Sequence, residues 1–142
     1  MKNKVIVING PNLNLLGERE KEKYGNFSLA DIEASCLKYA NENNLNATFF
    51  QSNIEGELIN KLQEASTYDY IILNAGGYTH TSVAIADCVE AIKVPIIEVH
   101  ISNIYSRDEF RRKSLISLYC LGCIVGFGLN SYKLALEHII SK

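Results

Sequence analysis

Of the three histidines in this 142-residue chain, two, His80 and His100, follow short apolar runs, and Glu98 stands two residues before His100. On a strand, residues two apart project from one face, so the carboxylate can hold the imidazole in one orientation, as a general acid requires. The third, His138, falls on the last amphipathic stretch and reads as a surface residue. The four arginines are unevenly spread: Arg19 lies in a long polar loop, while Arg107, Arg111 and Arg112 crowd a short charged segment. Arg107 and Arg111 are four apart and are expected to share a helical face, with Arg112 turned away. Guanidinium forks fit carboxylates better than lysine does, so a small anionic substrate is expected, against the plainer reading of solvated surface charge.

Five residues after Arg19 stands Tyr24. A phenol of pKa about 10 is a poor base at neutral pH, and lowering it by about two to three units takes about 3 to 4 kcal/mol of preferential stabilisation of its anion. One guanidinium at ~4 Å in a partly screened site supplies much of that, and closure of a loop over the site strengthens it by expelling water. From position alone, a loop tyrosine more often just packs against its neighbours.

Other chemistries are missing their parts. There is no Gly-x-Ser-x-Gly elbow, no phosphate-binding Walker loop and no His, Cys or Asp cluster at metal-ligand spacing in the sequence. Gly126-Phe127-Gly128 imitates part of a dinucleotide fingerprint but follows the last strand and lacks its third glycine. Asn9 and Asn74 stand where a phosphoacceptor domain would carry acids. Of the cysteines, Cys36, Cys88, Cys120 and Cys123, only the last two have suggestive spacing, and they lead into an apolar run, so they read as small buried residues.

Positioning these groups falls to an alternation of short β-branched runs with longer amphipathic stretches, the pattern of βαβ units around a parallel sheet. Strands are expected at 4–9, 46–51, 70–74, 95–100 and 122–127. Helices are expected at 28–42, 54–65, 81–92 and 130–140, with a short charged crossover over 106–117. In the first helix Leu29, Ile32, Ala34, Cys36, Leu37 and Ala40 follow the 3.6 period, and Ser28 with Asp31 resembles a cap; in the last, Leu134, Leu136, Ile139 and Ile140 do so. The fold class is therefore α/β, a single flavodoxin-like, doubly wound, five-stranded parallel sheet in three α/β/α layers. Residues 10–27 form an 18-residue connection, far longer than an ordinary βα loop, and read as a lid with a rigid apolar half and a charged, mobile half. Ligands of such sheets bind beyond the carboxyl ends of the strands, where Asn9 to Asn12, Gln51 to Asn53, Asn74 to His80 and Glu98 to Ser102 make four polar clusters. Each Asn or Gly alone reads as a turn residue; their coincidence at four strand ends does not.

The chain carries 47% apolar residues, and 14 basic against 16 acidic side chains leave a net charge of −2. That balance argues against nucleic acid as a partner, and the longest apolar runs fall far short of the ~20 residues a spanning helix needs. A cytoplasmic protein with no membrane attachment is expected.

At these residues the sequence resembles the type II 3-dehydroquinate dehydratases, or type II dehydroquinases, over nearly its whole length. The resemblance rests on Gly10-Pro11-Asn12-Leu13-Asn14-Leu15-Leu16-Gly17 with Arg19 and Tyr24-Gly25, on Gln51-Ser52-Asn53-x-Glu55-Gly56, and on Asn74-Ala75-Gly76-Gly77-Tyr78-Thr79-His80-Thr81-Ser82. It continues through Glu98-Val99-His100-Ile101-Ser102-Asn103 with Arg107 and Phe110-Arg111, and through Gly122 to Gly128. It implies an anti elimination of water from 3-dehydroquinate to 3-dehydroshikimate in the shikimate pathway, through an enolate and without metal or organic cofactor. By matching positions, Tyr24 would take the C2 proton, activated by Arg19. Asn12 would hold a water that stabilises the enolate, and His100 would protonate the departing hydroxyl. Asn74, His80 and Arg111 would bind substrate hydroxyls, Ile101 and Ser102 its carboxylate, and Arg107 would belong to the lid, with Glu98 behind His100. Asp87 would reach a neighbouring subunit's site, in keeping with the family's homododecamer, a tetramer of trimers.

The sequence departs from the family pattern in having no proline between Arg19 and Tyr24. It also carries Tyr105 for a common histidine, Leu118 for a proline and Ser131 for a glycine. The rival reading is a non-enzymatic flavodoxin-like module that binds a small anion or a flavin at the same edge, which leaves Tyr24, His100 and Glu98 without a joint purpose.

Overall fold

The computed structural model describes residues 2–18 and 21–142. Its strands are β1 (Asn3–Asn9), β2 (Leu45–Gln51), β3 (Tyr70–Asn74), β4 (Ile96–His100) and β5 (Gly122–Val125). All pair in parallel in the order β2-β1-β3-β4-β5, the flavodoxin-like arrangement that the alternation predicts. The helices are the single turn α1 (Lys21–Tyr24), then α2 (Leu29–Glu42), α3 (Glu55–Glu64), α4 (Val83–Ala91) and α5 (Asn130–Ile140).

Strand periodicity makes the three layers. On β1, Val5 and Val7 pack with Ile32 and Cys36 of α2 and Leu136 and Ile139 of α5. Ile6 and Ile8 point the other way, onto Leu58 and Leu62 of α3 and Ile85 and Val89 of α4. With both faces covered, the strand is apolar throughout rather than alternating. The chain leaves β1 for β2 on one side and returns to β3 on the other, so a crevice opens beyond the carboxyl ends of β1 and β3. Gly10 makes that junction possible: its N–H donates to the Asn74 carbonyl at 2.7 Å, and a Cβ there would lie 2.5 Å from the Ala75 carbonyl oxygen.

Local chemistry sets the helix starts. Ser28 and Asp31 form a reciprocal capping box, with the Asp31 N–H donating to Ser28 Oγ at 3.1 Å and the Ser28 N–H to Asp31 Oδ2 at 2.9 Å. Ser82 caps α4 and donates its hydroxyl to Glu55 at 2.6 Å. The expected start at residue 81 moves to Val83 because Gly76–His80 is wound into a 3-10 turn that ends at Thr81. The buried stripes are also narrower than the apolar lettering suggests. Leu37 is 43% exposed and Ala34 is exposed, while Tyr132, Ala135, Leu136 and Ile139 form the inner face of α5 and Leu134 points outward. β5 ends at Val125, short of residue 127, because Gly126 turns the chain at φ +93°.

Two further expectations need correction. The β4–β5 crossover contains 3-10 turns at Ile104–Ser106, Glu109–Arg111 and Ser117–Tyr119 rather than one helix, so Arg107 and Arg111 share no helical face. Cys36 and Cys88 are buried, Cys120 half-buried, and Cys123 exposed, because β5 is an edge strand with one neighbour. Among the described residues no helix is long and apolar enough to cross a membrane.

Candidate active site

Beyond the carboxyl ends of β1, β3 and β4 lies a cavity of about 110 Å³. One side is built from Pro11, Asn12, Leu13 and Tyr24 of the long connection, from Asn74 at the end of β3, and from Gly76 and Gly77 after it. The other side comes from His100 at the end of β4, from Ile101, Ser102 and Ile104 after it, and from Arg107 and Arg111 of the crossover, with His80 also lining the cavity.

The first side is neutral and fixed from behind. Tyr132, fully buried on α5, donates its hydroxyl to Asn9 Oδ1 at 2.6 Å and accepts Asn74 Nδ2–H at 2.9 Å. Asn74 Oδ1 accepts the Gly76 N–H at 3.1 Å. Both ends of the Asn74 amide are thus held, and one N–H remains for a ligand. Asn12 takes the left-handed conformation at φ 68°, and its N–H donates to Asn53 Oδ1 at 2.9 Å. Gln51 Nε2 braces the same loop, donating to the Gly10 carbonyl at 3.1 Å and to Asn53 Oδ1 at 3.3 Å. The Gln51-x-Asn53 pair therefore positions Asn12 without lining the cavity. Tyr24 is 7% exposed, packed into the α2 and α5 side of the core while its ring faces the cavity.

The second side carries charge. His100 Nε2 lies 2.5 Å from Glu98 Oε2, as the two-residue spacing predicts, and Glu98 is fully buried. Glu98 also accepts the hydroxyls of Ser114, at 2.9 Å, and Ser117. Burial opposes ionisation of Glu98, but the hydrogen bond and charge of His100 and the two serine hydroxyls outweigh it and hold the carboxyl below its ordinary value. An ionised Glu98 fixes the proton on His100 Nε2 and leaves Nδ1 for the cavity. His80 stacks against His100 with ring centroids 6.3 Å apart, and its Nδ1 lies 2.8 Å from the Lys113 carbonyl. A carbonyl only accepts, so His80 carries its proton on Nδ1 and presents Nε2. Burial, with the charges of His100 and Arg111, lowers the His80 pKa against the pull of Lys113 O and Glu98, which keeps the ring neutral near pH 7.

Arg107 joins the sides. Its guanidinium carbon lies 5.4 Å from the centroid of the Tyr24 ring, and its Nη1 donates to Ser102 Oγ at 3.4 Å. Arg107 Nε is buried with no hydrogen-bond partner among the described residues, a donor that calls for an acceptor. Arg112 instead donates Nε–H to the Arg107 carbonyl at 3.0 Å and lines none of this cavity. The expected division of the arginines therefore survives, although a folded-back loop and not a helix produces it.

Of the expected residues, Asn12, Tyr24, Asn74, His80, His100, Ile101, Ser102, Arg107 and Arg111 line the cavity, and Glu98 stands behind it. Arg19 lies outside the described residues. Asp87 is exposed on α4 and does not line the cavity of its own chain. The residues that sequence reasoning missed are Ser114, Ser117 and Tyr132. Serines three apart in a polar crossover and an aromatic on an amphipathic helix carry no signal that separates them from ordinary surface and core.

The chain matches the family described as Dehydroquinase class II over residues 3–140. The chain belongs to the class II dehydroquinase family. It is 53% identical over 138 residues to a protein from Prochlorococcus marinus (strain NATL1A) named 3-dehydroquinate dehydratase, covering 96% of this chain and 95% of that one. A protein of the same name from Francisella tularensis subsp. novicida (strain U112) is 55% identical over 137 residues, covering 96% and 94%. The crystal structure of a type II dehydroquinase from Butyrivibrio crossotus DSM 2876 superposes with a TM-score of 0.96 at 42% identity, covering 99% of each chain. This class II dehydroquinase is accordingly a dehydratase. Three of its departures from the family pattern do not line the cavity: Tyr105 is 60% and Leu118 81% exposed, and Ser131 is buried with its Oγ accepting the Phe127 N–H at 3.1 Å.

Proposed function

We propose that this chain removes water from 3-dehydroquinate by an anti elimination through an enolate, giving 3-dehydroshikimate. The observation that carries the reading is the Glu98–His100 pair, set across one cavity from a buried tyrosine that lies under Arg107. Tyr24 takes a proton from C2, next to the ketone. The Arg107 guanidinium favours negative charge at the phenol, and Arg19 is proposed to share that task. As the enolate collapses, the bond from C1 to its hydroxyl breaks. His100 gives that oxygen the Nδ1 proton while Nε2–H stays on Glu98, and the product leaves with water. Two positioned proton-transfer groups contribute about 10²- to 10⁴-fold each.

The remaining residues hold the substrate. Asn74 offers its spare N–H and His80 its Nε2 to substrate hydroxyls, joined by Arg111. Ile101 and Ser102 meet the carboxylate, and the buried Arg107 Nε–H, which has no partner among the described residues, offers a further donor. Asn12 fixes a water against the enolate oxygen. Closure of the 10–27 connection excludes bulk water from the reaction. Asp87, exposed on α4, reaches a substrate only across a contact between copies, which fits a trimer-based dodecamer in the cytoplasm.

The test is direct: 3-dehydroquinate is added to purified protein and ultraviolet absorbance is followed. A conjugated enone band that grows at a rate proportional to protein supports the reading. A yellow protein as purified, or no new band, supports the anion- or flavin-binding alternative.

A further inference from the structure

The edge of the sheet places a second kind of chemistry behind the catalytic pair. In the β4–β5 register Glu98 is the partner of Cys123, and neighbouring residues of parallel strands project from the same face. A carboxylate oxygen of Glu98, a ring nitrogen of His100 and the sulfur of Cys123 consequently all lie within 4.8 Å of one another. The sequence shows no metal-ligand spacing because Cys123 is 23 positions beyond His100. Only strand pairing brings them together.

We propose that Glu98, His100 and Cys123 form a capture site for a thiophilic divalent cation of the zinc type, which binds behind His100 and switches the enzyme off. One carboxylate, one imidazole and one thiolate are a mixed oxygen, nitrogen and sulfur set that suits tetrahedral zinc, with water as the fourth ligand. Zinc–ligand bonds of about 2.0 to 2.3 Å need only small movements of side chains already this close. Access comes from the outer edge. Cys123 is exposed and lines a groove along β5 with Asn103, Tyr105 and Phe127, and among the described residues that groove shares no lining residue with the substrate cavity.

Binding displaces two protons, one from the Cys123 thiol and one from His100 Nε2, and the metal takes both lone pairs. The thiol resists this displacement, since partial desolvation of the sulfur and the Glu98 charge push it up to about 12. Zinc therefore has to supply the driving force. With the metal on Nε2, the ring keeps Nδ1–H but is no longer an imidazolium, so it is a far weaker acid toward a departing hydroxyl. Substrate and metal approach His100 from different sides, and inhibition should lower kcat while leaving KM in place. This consequence for turnover rests on the proposed role of His100, whereas the site itself rests on geometry alone.

The experiment uses tag-free full chain, titrated with Co2+ for a thiolate charge-transfer band and with Zn2+ for initial rates at varied 3-dehydroquinate. Loss of a neighbouring supporting group already costs about 10- to 100-fold in metal affinity, so loss of a direct ligand should cost at least as much. Cys123→Val should abolish the band and raise the Zn2+ concentration for half-inhibition by about tenfold or more. Cys120→Val should change neither. A band that survives Cys123→Val, or is lost with Cys120→Val, overturns the site, as does the absence of any band. A Cys123-dependent band with turnover unchanged upholds the site and removes His100 as the acid.

Discussion

The two sides of the cavity are made differently. The side after β1 and β3 is held by neutral amides and phenols, in the chain Asn9–Tyr132–Asn74 and the brace Gln51–Asn53–Asn12. The side after β4 is held by an ionised carboxylate with three donors on it, His100, Ser114 and Ser117. Neutral groups locked from behind do not change charge during a reaction, so they suit recognition and alignment. A histidine held by a carboxylate behind it is suited to giving and taking a proton. The phenol of Tyr24 belongs by position to the neutral side, and Arg107 reaches across to give it a charged neighbour. An elimination that takes a proton toward one side and expels water toward the other uses both.

The largest effects should come from deleting the two groups proposed to transfer protons. Tyr24→Phe and His100→Asn are each expected to lower kcat by about 10²- to 10⁴-fold. Thermal midpoints should stay near that of the wild type, because the substitutions keep most of each side chain's volume; steady-state rates and a melting curve check both. Equal rates for either variant would break the proposed division. Next comes the neutral brace. Tyr132→Phe strands a buried donor on Asn74 and an acceptor on Asn9, an expected loss of about 1 to 3 kcal/mol of stability by denaturant titration, together with a raised KM. A raised KM without a matching fall in kcat would mark that side as a binding surface.

The smallest effect is in the pH dependence of folding. Glu98 titrates below its ordinary value in the folded chain, so its contribution is fully present above the unfolded carboxylate range. It is lost as pH falls through the lower folded value. Stability of the wild type should therefore decline on acidification more steeply than that of Glu98→Gln, measured by melting curves across the acid range. Parallel declines would show that the charged side gains nothing from its carboxylate.

Much of this was readable before the fold. Strand alternation predicted the sheet and its faces, because side-chain period is a local property of each segment. Glu98 and His100 were paired from a two-residue spacing on one strand for the same reason. Ser114, Ser117, Tyr132 and Cys123 were not legible, because their partners arrive through strand register and a folded-back crossover, contacts that sequence spacing does not encode. The crossover carries the spacing of a helix face in its charged residues, yet the chain turns three times within it. Leu37 and Leu134 follow the 3.6 period yet stay exposed, because the buried stripes of their helices are narrower than the apolar lettering.

A base and an acid working from opposite sides of one cavity leave a stereochemical mark on the product. The most direct measurement uses 3-dehydroquinate carrying deuterium at the C2 position opposite the departing hydroxyl, with the product weighed by mass spectrometry. Loss of the deuterium with retention of the other C2 hydrogen is the predicted result. Retention of that deuterium in the product would contradict the account.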